Sequence, residues 1–135
     1  MPDRVVLDTN IYISGLLWRG KPYQCLLLAR AGIVRAAYCD SMLAELSEKL
    51  REKFGFSENR IQAVAYDFRR MCERVTVSER LKVVVDDPDD DKFVECAVAA
   101  EARVIVSGDH HLLTLRNYRD IQVVTADELL LRYAQ

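Results

Sequence analysis

The chain has 135 residues, of which 50% are hydrophobic and 30% charged, and its formal net charge is -2. This composition is typical of one soluble globular domain spanning residues 1–135, and the charge excludes a basic domain that binds nucleic acid by overall attraction. No apolar run approaches the roughly 20 residues of a membrane span, and no signal peptide opens the chain, so we expect a cytoplasmic protein. Four cysteines without CxxC spacing indicate reduced, mostly buried thiols.

The first half of the chain predicts two strands and a series of helices. Residues 5–7 form a short apolar strand, residues 11–31 a helix broken near Gly20 and Pro22, and residues 33–39 a second strand. Asp40 or Ser41 is expected to cap the next helix, which carries apolar residues at a spacing of three to four: Leu43, Leu46, Leu50 and Phe54.

Gly55 ends that helix, and Ser57 caps another, so that the two form a helical hairpin. After a variable segment, "DDPDDDKFVECAVAAEA" begins with residues typical of a helix N-terminus, and "RVIVS" follows as a strand. Residues 121–124 form the last strand, and Thr125 and Glu128 form a capping box that opens a terminal helix. Alternating strands and helices predict a three-layer α/β/α fold with a mainly parallel sheet.

Acidic residues recur where this fold would place a ligand. Asp8 directly follows the first strand, and Asp109 follows "VIVSG". Glu45 lies in the second turn of the helix after the second strand, and Asp91 in the first turn of the helix before "RVIVS". Because ligands of open α/β sheets bind beyond the carboxyl ends of the strands, we expect these four acids to meet at one edge.

Each acid also has an ordinary structural interpretation, since Asp8 and Asp109 suit turns, and Glu45 and Asp91 suit a solvated face and a helix start. Taken together, several carboxylates at one edge repel one another unless a divalent cation neutralises them. Oxygen ligands favour hard ions such as Mg²⁺ or Mn²⁺, which leave positions open for water and phosphate. Phosphodiester hydrolysis is the matching chemistry.

Four segments carry a resemblance to a known family: "VVLDTN", "LAEL", "DPDDDKFVECAVAAEARVIVSGDHHLL" and "TADELL". The chain resembles PIN-domain nucleases of the kind found as toxins in VapC-type toxin-antitoxin pairs. The resemblance implies a catalytic and metal-binding set of acids, supported by polar residues: Asp8, Glu45, Asp91 and Asp109, with Thr9, Asn10 and Ser107. One departure is His111, where many relatives carry a further acid.

The resemblance also implies a function. It predicts a Mg²⁺- or Mn²⁺-dependent endoribonuclease that acts on RNA, forms a homodimer and is captured by an antitoxin protein. The alternatives are a PIN nuclease of RNA processing or decay and a PIN-like binding module without catalysis. A receiver-like phospho-switch fits less well, because "LDTN" lacks the paired acids and "VVTADE" lacks the lysine that such a switch uses.

Several neighbours of the acids have two interpretations. Turn and capping roles are favoured for three further acids, which we leave out of the predicted site: Asp87, Asp89 and Asp90. Glu95 faces either the same ion or a basic side chain, and both readings stay open. For His110 and His111 an incidental position in an exposed loop is favoured over proton transfer.

The loop "WRGKP" is a candidate RNA-binding segment. Arg19 and Lys21 flank its glycine and could contact phosphates, while Trp18 and Tyr23 could stack on bases. Trp18 and Tyr23 are equally well explained as core or dimer-interface residues.

Overall fold

The structure is a computed structural model that describes residues 2–134. A six-stranded sheet in the order β3-β2-β1-β4-β6-β5 runs through it, and each neighbouring pair is parallel except β5 and β6. The strands are β1 (Asp3–Leu7), β2 (Val34–Tyr38), β3 (Glu73–Arg74), β4 (Val104–Val106), β5 (Asn117–Tyr118) and β6 (Ile121–Val124). This arrangement confirms the predicted mainly parallel sheet.

Helices flank the sheet and complete the predicted α/β/α sandwich. They are α1 (Thr9–Leu17), α2 (Lys21–Arg30), α3 (Asp40–Glu52), α4 (Glu58–Met71), α5 (Asp91–Ala100), α6 (His110–Leu115) and α7 (Ala126–Arg132). A short 3₁₀ turn, Pro88–Asp90, leads directly into α5. No helix in the described part of the chain is long and apolar enough to cross a membrane.

The core is built on the two central strands. The apolar residues at the end of β1 and all of β4 are buried, and α5 packs against both of these strands and against β2. A strand that is buried on both faces reads as a continuous apolar run, which is why "VVL" and "VIV" predicted these strands from so few residues. All four cysteines are buried and free, as predicted.

Local signals set most helix ends. The Ser57 hydroxyl accepts from the amide of Arg60 at the start of α4, and Thr125 and Glu128 form the predicted capping box of α7. Gly32 and Gly55, with φ values of 76° and 63°, adopt the left-handed conformation beyond α2 and α3, which glycine adopts most readily.

Three details differ from the sequence expectations. Cys39, rather than Asp40 or Ser41, is the N-cap of α3. The Asp40 carboxylate is not free to cap the helix, because it accepts two hydrogen bonds from Arg74, at 2.7 and 2.8 Å. Phe54 lies beyond the end of α3. The elements β3, β5 and α6 were not predicted, since pieces of two to six residues are too short to show a periodicity.

The strand order places a reversal beside β1. The chain runs from β1 to β2 and β3 on one side, and then returns to place β4 on the other side of β1. The carboxyl ends of β1 and β4 therefore border the point at which open α/β sheets bind their ligands.

Candidate metal centre

A cleft of about 250 Å³ opens at this point. It is acidic, since six carboxylates line it and only two lysines do so. Its wall is formed by Asp8, Thr9, Asn10, Glu45, Lys49, Lys53, Asp87, Asp89, Asp90, Phe93 and Asp109. Residues from the ends of β1 and β4, from α3 and from the turn before α5 thus converge, as the order of elements predicted.

Asp8 has both of the roles that the sequence left open: it binds a backbone amide at the start of a helix, and it lies among the acids of the cleft. Its Oδ1 atom accepts a hydrogen bond from the amide of Ile11 at 2.8 Å and so caps α1. The side chain is nevertheless only 2% exposed and lies in the cleft. Burial raises the pKa of Asp8 to about 6, although hydrogen bonds from Ser107 and Ile11 oppose this rise.

Ser107 joins the ends of the two central strands. Its buried hydroxyl donates to Oδ2 of Asp8 and accepts from the amide of Asp109 at 2.8 Å. The Asp109 carboxylate in turn accepts from the amide of His111 at 2.8 Å, which fixes it at the start of α6. Ser107 therefore binds the Asp8 carboxylate and the backbone of Asp109 at once.

Asp90, like Asp87, was left out of the predicted site in favour of a turn or capping role, yet it lines the acidic cleft. It is 9% exposed, and its Oδ2 atom is buried without a hydrogen-bond partner. Burial together with the negative charges of Asp109, Asp87 and Asp8 raises the pKa of Asp90 to about 7. One oxygen from each of Asp87, Asp90 and Asp109 lies within 4.8 Å of the other two, a spacing that suits a shared cation.

Asp91 is placed differently from what the resemblance implied. Its Oδ1 atom accepts from the amides of Val83 and Val84, at 3.0 and 2.8 Å, and the residue lines a second cleft instead of the acidic one. The carboxylate is thus held by the backbone that precedes α5. Asp90, one position earlier, takes the place in the acidic cleft.

Helical spacing places the two neighbouring acids, Asp90 and Asp91, on different faces. Asp90 lies on the same stripe as Phe93, Ala97 and Ala100, at intervals of three and four residues, and all of these residues are buried. Phe93 also lines the acidic cleft. Asp91 lies on another face, three residues before the equally buried Val94, so helical spacing alone does not select one of the two acids.

Glu45 reaches the cleft from α3, as expected for an acid at its rim. Its Oε2 atom accepts from Lys92 Nζ at 2.7 Å, and Lys49 Nζ lies 3.8 Å from Oε1. Although burial acts in the opposite direction, the Lys92 hydrogen bond and the two positive charges lower the pKa of Glu45. Thr9 Oγ1, at the same wall, is buried without a hydrogen-bond partner, and Asn10 Oδ1 accepts from Lys49 Nζ.

The other candidates lie outside the acidic cleft. Glu95 accepts from the amide of Leu81 and pairs with Arg80, and neither Glu95 nor His111 lines the cleft. Arg19 and Lys21 follow α1, whose nine residues span roughly 13 Å, so they lie at the far end of that helix from Asp8. Lys21 pairs with Asp127, and Arg19 lies over the Tyr23 ring.

Comparisons of the sequence with known proteins indicate the family of this chain. A family model described as the PIN domain matches residues 4–111. An uncharacterized protein of Methanocaldococcus jannaschii is 33% identical over 120 residues, which cover 84% of this chain and 76% of that protein.

Two solved structures share the fold. One is a chain of VapBC2 from Rickettsia felis, in a crystal structure with a DNA fragment from the promoter. It aligns with a TM-score of 0.64 and 17% identity over 90% of this chain and 98% of its own. The other, a protein of Pyrobaculum aerophilum, aligns with a TM-score of 0.63 and 13% identity over 97% of this chain and 94% of its own.

Proposed function

The chain belongs to the PIN-domain family, and from this premise we propose that it is a metal-dependent endoribonuclease acting as the toxin of a toxin-antitoxin pair. Proteins of this family are generally nucleases, and the acidic cleft is where such chemistry would occur. The observation that carries the proposal is the buried, unpartnered Oδ2 atom of Asp90, held among the acids that surround it.

The residues present suit a divalent cation. The cluster offers carboxylate oxygens and no sulfur or imidazole, which favours Mg²⁺ or Mn²⁺ over zinc. A buried acid without a hydrogen-bond donor is costly when charged, and a cation would remove that cost. We assign Asp87, Asp90 and Asp109 as holding the ion, with Asp8 and Glu45 beside them.

A bound Mg²⁺ or Mn²⁺ supplies an activated water and stabilises charge on the phosphate oxygens. The chain's own groups do the positioning. Ser107 fixes the Asp8 carboxylate and the backbone of Asp109, whose own carboxylate is held by the amide of His111. Lys49 and Lys53 line the acidic cleft, so their ammonium groups are placed to contact the phosphates of a nucleic acid.

RNA is the proposed substrate, and a panel of RNAs tests it. Wild-type protein should cleave single-stranded RNA in the presence of Mg²⁺ or Mn²⁺, and a chelator should stop cleavage. Asp90→Asn should lose this activity, whereas Asp86→Asn should keep it, because Asp86 is exposed and does not line the cleft. Equal cleavage by wild type and Asp90→Asn would overturn the assigned centre.

The toxin role rests on the structural likeness to a chain of VapBC2. We propose an antitoxin partner and a homodimer as part of the same role. Exposed apolar side chains on neighbouring elements suit such contacts: Trp18 and Leu27 near α1 and α2, and Leu131 on α7, which packs against α2. Light scattering should give a dimer that Trp18→Ser with Leu131→Ser converts to a monomer. A wild-type monomer at high micromolar concentration would contradict the dimer.

Expression in a bacterial host separates a toxin from a processing nuclease. Wild-type protein should arrest growth, and Asp90→Asn should not, at equal protein levels. An active nuclease that leaves growth unaffected would favour the alternative role in RNA processing or decay. A folded protein that cleaves no RNA would favour a binding module instead.

The cytoplasmic location expected from the sequence stays a prediction.

A further inference from the structure

Residues 75–87, which we call the strap, connect β3 to the 3₁₀ turn before α5 and contain no helix or strand. We propose that Asp91 and Glu95 are positioning residues that dock the strap onto α5 and so hold the Asp87 carboxylate at the acidic centre. This inference rests on the proposed function, since it assigns to two buried acids the support of a metal ligand.

Both acids bind the strap through its backbone amides. Asp91 Oδ1 accepts from Val83 and Val84, and Glu95 Oε2 accepts from Leu81 at 2.9 Å. Asp91 and Glu95 lie one helical turn apart on α5, at 9% and 8% exposure, so they form two successive anchors on one face of that helix. A charged acceptor makes stronger hydrogen bonds to amides than a neutral one does.

The anchored segment leads directly to the acidic centre. The carbonyl of Val84 accepts from the amide of Asp87 at 3.2 Å, and the carbonyl of Asp87 accepts from the amide of Asp90 at 3.0 Å. The Val84 side chain is buried while its neighbour Val85 is 85% exposed. A continuous set of hydrogen bonds therefore runs from the Asp91 carboxylate through the Val84 backbone to Asp87 and Asp90.

Apolar packing also holds the strap, since Val84 is buried in the core and other strap residues pack against it, but hydrogen bonds from other elements are few. Its first residue, Val75, donates to the carbonyl of Tyr38, and Glu79 pairs with Arg119 near the surface. Between these points and Asp87, the described hydrogen bonds to strap amides from outside the strap come from Asp91 and Glu95. Loss of the anchors should free the Asp87 end of the strap while leaving the sheet intact.

Two substitutions of Asp91 distinguish an anchor from a ligand. Asp91→Asn keeps an oxygen that accepts from Val83 and Val84, so its Mn²⁺ dissociation constant should rise by no more than about threefold. Asp91→Ala removes that oxygen, and the constant should rise by about tenfold, the effect of removing a group that orients a metal ligand. Asp90→Asn should weaken binding more than either, because it alters a proposed ligand itself.

Hydrogen exchange provides a readout that needs neither metal nor RNA. In metal-free Asp91→Ala, the amides of Val83, Val84 and Asp87 should exchange faster than in wild type, while those of β1 and β4 should not. Asp86→Asn, an exposed strap residue of the same charge, is the matched control and should change neither exchange nor Mn²⁺ affinity. Should Asp91→Ala fail to fold, Glu95→Ala carries the same test through the amide of Leu81.

The outcomes separate this inference from the proposed function. Asp91→Ala that binds Mn²⁺ like wild type, or Asp91→Asn that loses as much affinity as Asp90→Asn, overturns the anchor. A wild-type protein that binds Mn²⁺ but cleaves no RNA overturns the nuclease proposal, and the anchor is then supported by the expected variant pattern. A wild type without Mn²⁺ affinity overturns both.

Discussion

Ser107 donates a hydrogen bond from its hydroxyl to Oδ2 of Asp8, although the two residues are 99 positions apart in the chain. Each follows one of the two central strands, β1 and β4, which pair in parallel. This bond therefore ties the two sides of the site together. It also leaves Asp8 with both oxygens engaged, since the amide of Ile11 binds the other one.

The first prediction concerns Asp8 in the metal-free protein. Its pKa is about 6 in the folded state and near 4 in an unfolded chain, so the folded state holds the proton more tightly. The contribution to stability is complete below pH 4 and is lost as the pH rises through about 6. Asp8→Asn should raise the free energy of unfolding at pH 7 by about 2 kcal/mol.

Chemical denaturation of both proteins at pH 5 and pH 8, in the presence of a chelator, measures this effect. The advantage of Asp8→Asn should be larger at pH 8, because only the wild type then carries the buried charge. Asn retains an oxygen that can cap α1, and the Ser107 hydroxyl can rotate to accept from the new amide. A variant that is less stable than wild type at pH 8 would contradict the assigned cause of the raised pKa.

The second prediction concerns proton release on metal binding. Asp90 has a pKa of about 7, so near neutral pH part of the protein carries a proton that a cation must displace. Mn²⁺ affinity should fall as the pH decreases from 8 to 6. Calorimetry at pH 7 in two buffers of different ionisation enthalpy should show net proton release for wild type and Asp86→Asn, and less for Asp90→Asn. Equal proton release by all three proteins would exclude Asp90 as the source of the released proton.

The third prediction concerns the ion pair of Lys92 and Glu45. Lys92 Nζ lies 2.7 Å from Glu45 Oε2, and both side chains are mostly buried. Lys92→Met removes a positive charge beside the acidic centre, so Mn²⁺ should bind more tightly. RNA should bind more weakly, and the slope of log affinity against log salt should decrease by about 0.7 if one phosphate contact is lost.

Lys82→Met is the control for Lys92, because Lys82 is an exposed strap lysine, whereas Lys92 pairs with Glu45 of the acidic cleft. It should leave Mn²⁺ affinity unchanged. If Lys92→Met alters neither Mn²⁺ affinity nor the salt dependence of RNA binding, Lys92 serves only to neutralise Glu45.

The sequence predicted the edge of the sheet at which the acidic cleft lies, because short apolar runs indicate the parallel strands. "VVL" before Asp8 and "VIV" before Ser107 are buried on both faces, and parallel strands bring their carboxyl ends to one edge. Glu45 was correctly placed at the rim of this edge by its position in α3.

The choice between Asp90 and Asp91 was not settled by the same reasoning. In "DDPDDD" five aspartates surround one proline, and a shift of one residue rotates a side chain by about 100° around the helix. The backbone amides that donate to the Asp91 carboxylate belong to the strap, an irregular segment whose sequence has no helical or strand periodicity. A contact made by an irregular segment leaves no pattern in the sequence from which it could be read.

The last prediction concerns a hydrogen-bond network that joins three helices away from the site. The Asp67 carboxylate of α4 accepts from the buried Tyr12 hydroxyl of α1 at 2.6 Å and from both terminal nitrogens of Arg30 on α2 at 2.9 Å. Hydrogen bonds from Arg30, together with those from Tyr12 and despite partial burial, lower the pKa of Asp67. The network should therefore hold the helical hairpin against α1 and α2.

Asp67→Asn should lower the free energy of unfolding at pH 7 by about 1 kcal/mol, a modest value because Asp67 and Arg30 are partly exposed to solvent. Since the folded pKa lies below the unfolded one, the stabilisation is present above about pH 4 and disappears as the pH falls through the folded pKa. The difference between wild type and variant should thus shrink between pH 5 and pH 2.5 in denaturant titrations. Tyr12→Phe, which removes one hydrogen bond and keeps the Arg30 pair, should lie between the two proteins at pH 7. A difference that stays constant over this range would show that the charge of Asp67 contributes nothing to stability.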